Sequence, residues 1–144
     1  MQQTDATLMQ PGKAKAGRKL ILWGTFAAVA NLVAVIWHVV LLVRVQPSFP
    51  ELAIVLLVAV NLLPVAGVFA FAKGSPKSAA AMVLVPLGTA LIIGGYTHFL
   101  SAGSDNVFRM PPGELTFPFQ VSAVLLIVLE ALGCWVGIRI FNCR

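Results

Sequence analysis

Residues 20–43 read LILWGTFAAVANLVAVIWHVVLLV, bounded by Lys19 and Arg44. No charged side chain falls inside this run, and it is longer than the roughly 20 residues that cross a 30 Å hydrocarbon core as a helix. Comparable runs follow at about 52–72, 79–100 and 117–141. Apolar segments of this length must satisfy their backbone groups internally once in a bilayer, and a helix does so within a single segment. Short connections, with Pro47 and Pro50 in the first and Gly74-Ser75-Pro76 in the second, make successive helices antiparallel neighbours. The expected fold is all-α, an integral membrane up-down-up-down four-helix bundle.

Composition agrees. Of 144 residues, 59% are hydrophobic and 10% charged, with mean hydropathy +0.93, whereas a soluble domain carries about 25% charged residues. Residues 1–18 read as a polar cytoplasmic tail and 19–144 as one transmembrane domain. The apolar run continues past Ala28-Val29-Ala30, which argues against cleavage there as a signal peptide. The net charge of +5 comes from basic residues at the ends of the apolar runs, so it reflects membrane topology rather than nucleic acid binding. Cys134 and Cys143, nine positions apart at the end of the chain, form no disulfide framework and no metal motif.

Orientation follows from the basic side chains. Lys13, Lys15, Arg18, Lys19, Lys73, Lys77, Arg139 and Arg144 fall on one side of a four-pass topology, and only Arg44 and Arg109 on the other. Both termini are expected to be cytoplasmic, in a bacterial inner membrane. Trp23 and Trp135 then approach the inner interface, and Trp37 and Tyr96 the outer one.

Polar groups within the apolar runs are the informative ones, because a bilayer core tolerates them only when partnered. They are Asn31, His38, Asn61, His98 and Glu130. Ala27, Asn31, Ala34 and His38 share one stripe of the first helix. Ala123, Glu130, Gly133 and Gly137 share one of the fourth, and such small-residue stripes face other helices or another subunit. An ionised Glu130 would cost on the order of 3 kcal/mol on insertion scales, so a neutral carboxyl hydrogen-bonded to Asn61 or Asn31 is expected. A proton relay or part of a quinone or substrate pocket is the functional alternative. Pro64 and Pro86 are expected to bend their helices.

His38 and His98 lie at equal depth, each about 27 Å along an outward-running helix at 1.5 Å per residue. Neutral imidazole is a good transition-metal donor, so either or both are candidate metal ligands. Ala34 and Gly94, each four residues before a histidine, leave the flat space that a haem or (bacterio)chlorophyll occupies along the preceding turn. Helices one and three are diagonal in a square bundle, too far apart for direct contact but spanned by a macrocycle. The alternative is two interfacial histidines bonded to carbonyls, loop groups or headgroups. Asp105, in the turn-forming 101–106 segment, is a candidate to orient His98, and equally the residue of an Asx-type turn that stops the helix.

Gly95-Tyr96-Thr97-His98-Phe99, the loop with Pro111-Pro112-Gly113-Glu114, Phe119-Gln120 and the run LLIVLEALG at 125–133 together resemble the second half of DoxX-like small four-helix membrane proteins. The likeness covers about residues 52–140, and the first helix, with Asn31 and His38, departs from it. The resemblance implies association with quinone-linked oxidoreductase systems as a small partner subunit, with His98 and Glu130 as the positions to test.

The chain carries no Ser-His-Asp arrangement, P-loop, HExxH or dinucleotide fingerprint. The expected function is therefore that of a small, more non-catalytic than enzymatic, accessory subunit of a membrane complex. It would lie in the lipid bilayer beside other membrane subunits, in electron transfer, with a tetrapyrrole or metal held through histidine. A quinone-linked oxidoreductase is the first alternative. A small transporter or channel lined by Asn31, Asn61 and Glu130 is the second.

Overall fold

The computed structural model describes residues 11–45, 50–103, 106–110 and 112–142. Helix α1 spans Pro11–Val45, α2 Glu51–Asn61, α3 Leu63–Ala72, α4 Pro76–Gly95 and α5 Thr116–Phe141, with a π-helical turn at Tyr96–Leu100 extending α4. Four segments among the described residues are long and apolar enough to cross a membrane: Gly17–Val45, Glu51–Ala72, Pro76–Leu100 and Thr116–Phe141. The protein is an all-α, integral membrane, up-down four-helix bundle.

Helix α1 begins eight residues before Lys19, at Pro11. Proline is at home in a first turn, and Lys13, Ala14, Lys15 and Ala16 are strong helix formers. The segment read as tail is thus helical from residue 11, and residues 1–10 lie outside the described part. Helix α2 packs beside α1, and α3 is followed by a Schellman turn. There Gly74, at φ +82°, allows Gly74 N–H to reach Phe71 O at 2.9 Å and Ser75 N–H to reach Ala70 O at 3.0 Å.

The two prolines act differently. Pro64 has no N–H for the Val60 carbonyl, Leu62 N–H turns to Ala59 O at 3.1 Å, and the span divides into α2 and α3 at Leu62. Pro86 remains inside a continuous α4.

Around the bundle α5 packs on α4, α4 on α3, α3 on α1 and α1 on α5, which leaves α1 and α4 diagonal. Because lipid is as apolar as leucine, close packing rather than water exclusion holds such helices together. Three buried clusters do this. Leu41, Leu42, Val107, Phe119 and Ala123 form one, with Met110 and Leu115 packed against it. Ala34, Val35, Val39, Leu126 and Leu129 fill the middle. Ala79, Ala80, Val136 and Ile140 close the end nearest the termini. Leu22, Phe26, Leu52, Val55, Val85, Ile92 and Val128 face outward, as in a bilayer. Trp23 and Trp135 are also outward-facing, and Arg139 lies 5.4 Å from the Trp135 ring centre.

Candidate functional site

The π turn positions the first element of the site. Ser101 N–H bonds Tyr96 O at 2.8 Å, five residues back, so the helix gains a residue and widens at His98. The loop then folds over this end. Val107 N–H reaches His98 O at 2.9 Å, Asn106 Nδ2 donates to Ser101 O at 2.7 Å, and Gln120 Nε2 donates to Val107 O at 2.8 Å. Asp105, expected beside His98, lies outside the described residues.

Beneath this cap His38 and His98 meet directly. Their ring centres are 4.8 Å apart with the planes at 72°, and Phe119 packs on both, at 4.8 and 5.9 Å. The diagonal is therefore not too wide for side-chain contact. Imidazoles reach inward from both helices, and Phe119, fully buried on α5, fills the third side of the junction.

The hydrogen bonds around His38 assign its tautomer. Ser122 Oγ lies 2.7 Å from Phe119 O and 2.8 Å from His38 Nδ1. The carbonyl can only accept, so the single hydroxyl proton goes to Phe119 O. His38 Nδ1 must then carry a hydrogen and donate it to Ser122 Oγ, the one arrangement that satisfies both contacts. The second ring nitrogen, Nε2, is left with its lone pair, and it is buried without a hydrogen-bond partner. One ring nitrogen anchored by its N–H and the other presenting a lone pair is how metal-binding histidines are held.

A tetrapyrrole does not fit between the rings. Two metal–nitrogen bonds of about 2 Å hold axial donor nitrogens about 4 Å apart, with the ring centres farther still, whereas here the centres are 4.8 Å apart and the rings meet edge to face. Nor is the turn before His38 open, because Ala34 is packed among Val35, Val39, Leu126 and Leu129. A single metal ion suits the donors better. Among the described residues no third His, Cys, Asp or Glu completes a metal-binding group, so an ion held there would need further ligands besides these two.

Nearer the bundle's middle, Asn31 Nδ2 donates to Asn61 Oδ1 at 2.7 Å, and Asn61 Nδ2 donates to Leu57 O at 2.7 Å. The asparagines thus pair with each other, and Glu130 Oε2 is without a partner. A Cβ on Gly94 would stand 3.9 Å from both Glu130 Oε2 and His98 Cδ2, which places the carboxyl close to the histidine pair.

No known protein family, curated protein or solved structure matches this chain.

Ser122 and Phe119 are the site residues that sequence reasoning missed. The available signal was depth: in a bundle whose last helix runs back toward the cytoplasm, Ser122 lies two turns above Glu130 on the same stripe, level with His38.

Proposed function

We propose that this chain is a small, non-catalytic accessory subunit of a larger membrane complex in electron transfer, and that it holds one transition-metal ion through His38 Nε2 and His98. What carries the reading is the fixed tautomer of His38, buried to 3% exposure, whose lone pair is turned away from Ser122 and has no use in the fold. A metal ion bound there supplies one-electron exchange. The residues themselves bind and orient: Ser122 holds the His38 ring, Phe119 excludes water, and residues 106–110 cap the pair. A second reading, a quinone-linked oxidoreductase of the DoxX-like kind, draws on the proximity of Glu130 and His98 around Gly94.

The test is the metal content and absorption spectrum of the protein purified from its native membrane with its partners. We expect one metal per chain, lost in His38→Ala and in His98→Ala. A metal-free preparation, or one that is active and monodisperse with no co-purifying protein, overturns the reading. Redox turnover by the isolated chain that depends on Glu130 supports the second.

In this reading the termini are cytoplasmic. In a Cys134→Ser background, a cysteine introduced at Ser104 is expected to react with an impermeant thiol reagent added to whole cells, and native Cys143 is expected to stay unlabelled. The reverse pattern places the histidine pair at the cytoplasmic side.

A further inference from the structure

Two oxygens in the middle of the bundle are surplus to the fold. Asn31 is fully buried, its Nδ2 is spent on Asn61, and its Oδ1 has no partner; Glu130 is 5% exposed and its Oε2 has none either. The two stand at nearly one level. Helices α1 and α5 are antiparallel and packed together, and the His38–Ser122 bond ties them at 2.8 Å. Asn31 lies seven residues along α1 from His38, about 10 Å, and Glu130 eight residues along α5 from Ser122, about 12 Å, both toward the termini.

Their chemistry limits what can join them. An amide oxygen only accepts hydrogen bonds, and so does a carboxylate oxygen or the carbonyl oxygen of a neutral carboxyl, whose hydroxyl oxygen carries the one hydrogen the group can donate. Leaving such buried acceptors unmade costs on the order of 1–3 kcal/mol each, and in hydrocarbon no bulk solvent relieves it. An occupant that meets both oxygens as acceptors is therefore a donor, and a small one. Opposite Oε2, α4 presents Gly94, and a Cβ added there would meet nothing closer than 3.9 Å. Bare backbone thus faces the carboxyl, whereas closer to the termini Gly133 and Gly137 are filled by Leu87 and Leu84.

We propose that Asn31 Oδ1 and Glu130 Oε2 together bind one small protic species that donates to both. Water and ammonium share that chemistry: each is about the same size and carries at least two polar hydrogens. The bound donor completes a hydrogen-bonded line from Glu130 on α5 through Asn31 on α1 to Asn61 on α2, tying three helices together. This site stands whether or not a metal occupies the histidines.

The experiment uses the full-length protein in nanodiscs and two probes. Infrared spectra in ordinary water and in oxygen-18 water detect a buried water as an O–H stretching band that shifts with the isotope. Titration with ammonium chloride against sodium chloride, followed by calorimetry, detects ammonium. We expect one probe to report: either an isotope-sensitive band absent from Glu130→Leu, or saturable ammonium binding weakened about tenfold or more in that variant. Glu130→Leu removes the acceptor with little change in size, and unchanged helical circular dichroism shows that it folds. Asn31→Asp, which keeps an acceptor at that position, is expected to retain the occupant. Neither signal in the folded wild-type protein overturns the proposal, as does a signal that survives Glu130→Leu unchanged.

Discussion

Gly67→Ala is expected to destabilise the bundle by about 1–3 kcal/mol, read as a lowered thermal or SDS unfolding midpoint in detergent. A Cβ at this position would lie 2.9 Å from Val83 Cγ2, 3.0 Å from Ala79 O and 3.1 Å from Met82 Cβ. Two of those atoms belong to the backbone or sit directly on it, so relief requires moving α3 away from α4. Gly88→Ala is the matched comparison. Its new methyl would meet only Cys134 Sγ, at 4.0 Å, and higher helix propensity should leave stability unchanged or slightly raised. Equal midpoints for the two variants would show that α3 and α4 are not in the close contact described. Gly137→Ala should fall between them, because the Leu84 atoms it meets, at 2.7 and 2.9 Å, belong to a side chain that can rotate.

Ser122→Ala is expected to release His38. Nitrogen-15 NMR of the imidazoles should show wild-type His38 as the Nδ1–H tautomer with a bare Nε2, and a mixture of tautomers in the variant. Removal of the acceptor leaves a buried donor unsatisfied, which costs on the order of 1–3 kcal/mol, and the unfolding midpoint should fall with it. In a metal-loaded preparation, loss of this outer support should weaken binding about 10–100-fold. A wild-type His38 found with its hydrogen on Nε2 would remove the basis for reading it as a metal donor.

The spans were legible because a bilayer demands a length of apolar sequence that little else produces. The end of the second span at Ala72 and that of the third at Leu100 match their expected positions to the residue. Depth was legible too, since 1.5 Å per residue brought His38 and His98 to one level before any contact was known. What depth could not give was lateral distance. The direct meeting of the two rings depends on how far each imidazole reaches across the diagonal and on the residue added by the π turn at Tyr96–Leu100. Hydropathy carries no trace of that insertion, because Tyr96, Thr97 and Phe99 would read the same in an ordinary helix. The pairing of Asn31 with Asn61 was hidden for a related reason: with Glu130 at a similar depth, sequence offered three polar groups and no means of choosing which two would bond.

The interruption at Leu62 makes the second span two mechanical parts. Helix α3 is fixed against α4 through Gly67, while α2 leans on α1, barely touches α4 and buries only Asn61. A load applied at Glu51 would therefore meet the break at Leu62 before it reached the seam between α3 and α4. The residue next to that break is Asn61, whose amide is bonded to Asn31. The bond between Asn31 and Asn61 is thus the polar link between the α2 half of this span and the rest of the bundle.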